Sequence, residues 1–276
     1  MIKRILVGLA GTTFTPVAIR RAVALAKVHG AEVTGVTVLG PHRLRSREQP
    51  APAEIGRAAQ PSNRPIAGSP DSIEESIQHL EQSCNEAGVK CRLLREFGDA
   101  FTTLIDAARY HDVIVFGLGS VLKYAFPGDD PQDQLIRLIG AGVRPLIAVS
   151  EEFRPISRVL IAYNGSMESA KAMKRFVQMR LWPEAELKVM TFNPSEDRAY
   201  ELLLAAEEYC RAHGFKVCHQ SNPGDPKVLL LPAATLWQAD MIVMGNSARS
   251  VLVRRVLGDT LLTTLTDTKI PLFLAQ

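Results

Sequence analysis

The sequence lacks most of what would set it apart from ordinary globular proteins. It has four cysteines in 276 residues and no Cys-x-x-Cys spacing, so it carries no disulfide framework. No run approaches the roughly 18 consecutive apolar residues of a membrane span. The opening Met-Ile-Lys-Arg-Ile-Leu-Val-Gly reads as a strand, too short and too punctuated for a secretory leader. Charge of one sign is also missing. The 32 basic residues nearly balance 29 acidic ones, for a net charge of +3, which argues against a surface that coats nucleic acid. With 46% hydrophobic residues the chain is not intrinsically disordered either. The expectation is a soluble, cytoplasmic protein that binds neither nucleic acid nor membrane. Its length suits one large domain or two of ordinary size.

What the sequence does have is a repeat. Residues 3–12, Lys-Arg-Ile-Leu-Val-Gly-Leu-Ala-Gly-Thr, match residues 157–166, Ser-Arg-Val-Leu-Ile-Ala-Tyr-Asn-Gly-Ser, at an offset of 154. Glu32 and Thr37 match Glu186 and Thr191 at the same offset. Further along, Glu81, Cys84, Gly88 and Lys90 match Glu207, Cys210, Gly214 and Lys216 at an offset of 126, as do Gly98-Asp99 with Gly224-Asp225 and Pro145 with Pro271. The offsets differ by 28 residues, so the first half carries an insertion between Thr37 and Glu81. Composition locates it at 41–70, where Pro41, Pro50, Pro52, Pro61, Pro65 and Pro70 accompany five arginines and two acids. Such a segment sustains neither helix nor strand and reads as a loop. Its arginines admit either an anionic partner or plain solvation. The repeat divides the chain into two domains, 1–152 and 153–276.

Within each half, strands alternate with helices. Apolar runs predict strands at Ile5–Val7, Val33–Leu39, Val89–Leu94, Asp112–Gly117 and Pro145–Val149, and at Val159–Tyr163, Leu187–Phe192, Phe215–His219, Met241–Met244 and Pro271–Leu274. Pro16 suits a first helical turn and Gly30 a helix end. Ser72 with Glu75 forms a capping box for a helix whose apolar face holds Ile73, Ile77, Leu80 and Cys84. Asp99 and Asp225 are read as helix caps. Pro232 conflicts with its helix and should kink or shorten it. Alternation of this kind predicts two tandem doubly wound α/β domains, each with a five-stranded parallel sheet covered by helices. Ligands of such sheets bind beyond the carboxyl ends of the strands, where strand order reverses. The loops to inspect are therefore 8–15, 117–129, 162–169 and 245–260.

In the last of these, Gly245 and Gly258 permit backbone conformations closed to other residues, and Gly258-Asp259-Thr260 opens a helix whose N-terminus favours an anion. Arg249, Arg254 and Arg255 would add positive charge. These residues carry a resemblance. Both halves resemble universal stress protein domains, through the first-strand signatures Ile5–Thr12 and Val159–Ser166, the Gly-Asp turns, the Gly245–Asp259 loop and the closing Ile270-Pro271-Leu272. The resemblance spans nearly the whole chain outside 41–70. It implies an adenine nucleotide alpha hydrolase-like fold. In its nucleotide-binding branch it also implies ATP, or another adenine nucleotide, held by a Gly-x2-Gly-x9-Gly-Ser/Thr loop with an acidic residue after the first strand.

The sequence departs from that pattern at several positions. In the second half Ala248 replaces the middle glycine, Asp259 stands where a hydroxyl would donate to phosphate, and Asn164 takes the acidic position. Thr260 could supply the hydroxyl by a one-residue shift. The candidate nucleotide site is thus Asn164, Gly245, Ala248, Arg249, Gly258 and Thr260. In the first half Ala10 fills the acidic position. Gly117-Leu-Gly119-Ser120 lacks the second glycine, and Asp129 and Asp130 oppose phosphate, so no nucleotide is expected there.

Other residues suggest less. Cys84 and Cys210 fall at equivalent positions on an apolar helix face and read as buried small hydrophobes. Cys91 and Cys218 sit one register apart. His29, His42, His79, His111, His213 and His219 show no metal spacing, and His111 and His213 lie at helix ends in structural positions. Asp129, Asp130 and Asp133 read as capping and solvated carboxylates rather than cation ligands. No nucleophile, base and orienting acid converge, so an enzyme is not expected. Slow ATP hydrolysis is the least supported reading. Two readings remain: a stress-response or regulatory protein with a weakened adenine-nucleotide site in its second domain, or an interaction and scaffold protein without nucleotide, acting through an unknown protein partner and homodimerisation.

Overall fold

The computed structural model describes residues 1–39, 69–97, 100–117, 145–192, 196–245, 260, 261, 263, 264 and 268–275. All ten expected strands are present. They are β1 (Arg4–Gly8), β2 (Glu32–Leu39), β3 (Cys91–Phe97), β4 (Val113–Gly117) and β5 (Leu146–Val149), then β6 (Arg158–Ala162), β7 (Glu186–Thr191), β8 (Lys216–Ser221), β9 (Met241–Gly245) and β10 (Leu272–Ala275). The helices described along their whole length are α1 (Thr15–His29), α2 (Pro70–Ala87), α3 (Ala100–Ala108), α4 (Met167–Met179), α5 (Glu196–Ala212) and α6 (Pro226–Leu236).

The strands form one sheet, ordered β3-β2-β1-β4-β5-β10-β9-β6-β7-β8. Each half is a parallel five-stranded unit, as expected, and the two halves join through the single antiparallel pair β5–β10, with Phe273 opposite Ile147. Both seam strands are buried along their length, Leu-Ile-Ala-Val and Leu-Phe-Leu-Ala, so no strand edge is left between the halves. Successive residues of β1 serve opposite faces of the sheet. Ile5 and Val7 join the core beneath α1, α2, α4 and α5, whereas Leu6 joins the one beneath α3 and α6. Helices thus cover both faces, and the central strands β4, β5, β9 and β10 are continuously apolar for that reason, whereas the outer strands β3 and β8 carry charged and polar residues.

The repeat is visible in the bonding. Asp112 Oδ2 accepts the backbone N–H groups of Lys3 and Arg4, at 2.7 and 3.0 Å. Asp240 Oδ2 does the same for Ser157 and Arg158, both at 2.9 Å. Each carboxylate satisfies strand-entry donors, which are costly to leave unmade. The halves also meet through α1. The buried Arg21 guanidinium donates to the Arg154 carbonyl and lies 4.5 Å from the Phe153 ring centroid, and burial pulls its pKa down to about 10. His29 Nε2 donates to the Leu181 carbonyl.

The fold corrects three local expectations. Ser69, not Ser72, caps α2: its Oγ accepts from Ser72 N–H at 3.2 Å, and Pro70 opens the helix. The 41–70 insertion therefore yields its last residue to the helix, and residues 41–68 lie outside the described set. β3 starts at Cys91 rather than Val89, because Val89 N–H still bonds the Cys84 carbonyl behind the left-handed cap Gly88. Pro232 does not end α6, which runs through it to Leu236. Asp225 and Pro226 do start that helix, with Asp225 Oδ1 accepting from Lys227 N–H at 2.9 Å.

Candidate functional site

Strand order reverses between β6 and β9, which are neighbours in the second half. β6 ends at Ala162, and the chain turns through Tyr163, Asn164, Gly165 and Ser166 into α4. Gly165 has φ 75°, a left-handed conformation that glycine adopts without strain. Asn164 Oδ1 accepts from Ser166 N–H at 3.0 Å, and Ser166 Oγ caps α4 by accepting from Ser169 N–H at 3.2 Å. β9 delivers Gly245 against that first helical turn. A Cβ on Gly245 would stand 2.4 Å from the Glu168 carbonyl oxygen and 2.6 Å from Ser169 N, so only a residue without a side chain fits.

These pieces enclose a cavity of about 380 Å3. Ala162, Phe192, Leu230, Met244 and Leu261 supply its apolar lining, and Pro226 closes one side. Tyr163, Asn164, Ser166, Glu168, Ser169 and Thr260 bring polar groups to it. Burial raises the Tyr163 pKa, so the phenol stays neutral at physiological pH. An apolar pocket with a few convergent polar groups suits a flat ring bearing hydrogen-bonding substituents. Glu168 is a lining carboxylate at a helix N-terminus. It suits the helix dipole and opposes a bound anion.

Of the six residues expected from the sequence, Asn164, Gly245 and Thr260 come together around this cavity. Ala248, Arg249 and Gly258 lie outside the described residues, as do Arg254, Arg255 and Asp259. Sequence reasoning missed Tyr163, Ser166, Glu168, Phe192, Pro226 and Leu230. The signal was there for three of them, since Tyr163, Ser166 and Glu168 stand within the 162–169 loop.

The first half differs in its turn. Gly11, with φ 62°, matches Gly165, and Thr12 N–H donates to Thr15 Oγ1 at 3.0 Å where Ser166 and Ser169 pair in the second half. Ala10 offers no polar group, and the start of α2 sits on the turn, with Ser72 Oγ 2.4 Å from where a Gly11 Cβ would be. Asp99, Gly119, Ser120, Asp129, Asp130 and Asp133 lie outside the described residues.

The residues read as structural have structural surroundings. Cys84 and Cys210 are fully buried, which pushes each thiol up to about 12. Cys91 pairs with Val33, whereas Leu187 pairs with Val217, so Cys218 is indeed one register off. His111 Nδ1 donates to the Ala107 carbonyl and His213 Nδ1 to the Tyr209 carbonyl. His219 is bonded through Nδ1 to the buried Glu207, which also holds Arg211. Among the described residues, no three His, Cys, Asp or Glu side chains are placed to hold a metal ion. No helix among them is long and apolar enough to cross a membrane.

The architecture is that of a doubly wound α/β protein whose cavity lies at the reversal of strand order. The sequence model of the universal stress protein family matches residues 1–120 and 193–275. The chain belongs to that family. It is 24% identical over 195 residues to universal stress protein Slr1230 of Synechocystis sp., a match covering 69% of this chain and 67% of that one. A universal stress protein of Archaeoglobus fulgidus DSM 4304 has a similar fold, with a TM-score of 0.67 at 17% identity over 99% of this chain and 96% of that one. A functionally unknown protein of Pseudomonas aeruginosa PAO1, PA1789, gives 0.61 at 18% identity over 99% and 92%.

Proposed function

We propose that the protein is a cytoplasmic stress-response regulator that binds an adenine nucleotide, ATP or a relative, in its second domain and acts by binding rather than catalysis. The domains are 1–152 and 153–276. The observation that carries the reading is the convergence of Asn164, Gly245 and Thr260 on one cavity with an apolar lining. The ring of the ligand would lie against Phe192 and Leu230, with polar contacts from Asn164, Ser166 and Thr260. The first domain, with Ala10 in its turn, takes no nucleotide.

Two observations favour a second reading, an interaction protein without nucleotide. Asn164 Oδ1 is already engaged by Ser166 N–H, and the Phe192 carbonyl by Gly224 N–H at 3.3 Å. On that reading a homodimer would form through β3 or β8, the two outer strands, since β5 and β10 pair with each other. A fluorescent adenine nucleotide separates the readings. Saturable binding to the full chain, displaced by unlabelled ATP and weakened in Asn164→Ala, supports the first. Binding that is absent, or unchanged in that variant, rejects the site.

A further inference from the structure

The two halves of the chain serve as controls for one another, and they differ most usefully between their first two helices. In the second half α4 and α5 are bridged: Gln178 Nε2 donates to Tyr209 Oη at 3.0 Å, and Lys174 Nζ lies 5.9 Å from the Tyr209 ring centroid. The repeat offsets place Ala24 at the position of Gln178 and Ser83 at that of Tyr209. Small side chains thus replace both bridging groups in the first half, and a groove of about 530 Å3 opens between α1 and α2.

The charges change with the shape. Lys27 stands where the second half has Leu181, and His79 where it has Ala205. Arg20, Lys27 and His79 line the groove over a floor that includes Val17, Val23 and Ala24, and the Phe153 ring closes one end beneath the Arg20 guanidinium at 4.0 Å. Among the described residues, none of the three basic side chains is paired with a carboxylate. The groove's own carboxylate, Glu151, accepts from Thr13 Oγ1 at 2.9 Å. The result is an open apolar trough bordered by basic groups that have no carboxylate partner among the described residues, on the opposite face of the sheet from α3 and α6.

We propose that this groove docks an acidic peptide segment of a partner protein, its apolar side chain seated on Val23 and Ala24 and its carboxylates meeting Arg20, Lys27 and His79. Charge complementarity selects the occupant, and the volume suits the side chains of a short segment. The inference is independent of the nucleotide reading, because the groove shares no residue with the cavity of the second half.

The test is selection of phage-displayed random peptides on the full-length protein, followed by fluorescence anisotropy with the selected peptides. The expected peptides carry Asp or Glu around one apolar anchor. The double variant A24Q/S83Y installs the residues that the second half already accommodates, and should weaken binding by about tenfold or more by filling the trough. K27L should weaken it roughly two- to fivefold, as for one exposed charge pair. K27E, at an exposed position, should weaken it further and serves if the double variant fails to fold. The proposal is overturned if no acidic consensus emerges, if binding is unchanged in A24Q/S83Y and K27E, or if inorganic phosphate or citrate at low millimolar concentration displaces the peptide completely, which would make the groove a small-anion site.

Discussion

Gly245 lies so close to Glu168 that the end of β9 and the first turn of α4 form one wall of the cavity, backbone against backbone. The clashing atoms for any added Cβ are main-chain atoms at 2.4 to 2.6 Å, which cannot swing aside as a side chain would. Gly245→Ala is therefore expected to cost about 1–3 kcal/mol in urea unfolding, the usual range for overpacking, and to displace the α4 turn from the cavity. An unchanged midpoint would mean that the two elements are not tightly joined at this point.

Glu168 faces a conflict between stability and binding. Its carboxylate sits in the first turn of α4, where the helix dipole favours it by about 0.3–1 kcal/mol, yet it lines a cavity proposed to receive a phosphate-bearing ligand. Glu168→Gln should lower stability by that amount while strengthening nucleotide binding roughly two- to fivefold. Paired denaturation and binding measurements check both signs. A weaker affinity in the variant would place the phosphates away from α4.

The acid limb of stability should report His111. The ring is buried, donates through Nδ1 to Ala107 and has no partner for Nε2 among the described residues. Burial is the largest influence on it and lowers its pKa, only partly opposed by the Ala107 bond. The unfolded chain therefore takes up the proton first. Stability contributed by the neutral ring is present above the unfolded value of about 6.5 and is lost as pH falls through the lowered folded value. Urea midpoints between pH 7.5 and pH 5 should fall in the wild type and fall less in His111→Gln; parallel slopes would remove His111 as the cause.

The seam between the halves should make them unfold together. Phe273, fully buried on β10, faces Ile147 across the antiparallel pair and meets the Phe176 ring edge-on at 5.2 Å between centroids. Phe273→Ala should cost about 3–5 kcal/mol, and calorimetry of the wild type should show one transition rather than two. Two resolved transitions in the wild type would show that the sheet is continuous in geometry but not in cooperativity.

Much of this was legible in the residues, and what was not has identifiable physical causes. Short apolar runs between turn signals revealed the strands most clearly at the centre of the sheet, where helices on both faces keep β4, β5, β9 and β10 apolar throughout; β3 and β8, at the edges, mix apolar with polar residues. The repeat also survives in space: Cys84 and Cys210 occupy equivalent buried positions at the 126-residue offset, and Asp112 and Asp240, which neither sequence offset relates, bind equivalent strand entries. The start of α2 was misplaced because Pro70, counted with the proline-rich insertion, is a favourable first helical residue after a serine cap. The seam could not be read. Leu146–Val149 and Leu272–Ala275 look like any buried strand, and nothing in their composition distinguishes an antiparallel partner from a parallel one.

The site was legible only where a turn demands a particular residue. Gly245 ends β9, Asn164 follows β6 and Thr260 belongs to the loop sequence after β9, and loop reasoning reaches all three. Phe192, Pro226 and Leu230 arrive from β7 and α6, and only the folded sheet brings them to the same cavity.

The central claim is one adenine-nucleotide site per chain, in the second half. Isothermal titration of the purified full-length protein with ATP, with and without Mg²⁺, tests it most directly. The account predicts a single saturable event with a stoichiometry of one, weakened by Asn164→Ala. No heat at millimolar nucleotide, or two sites per chain, would contradict it.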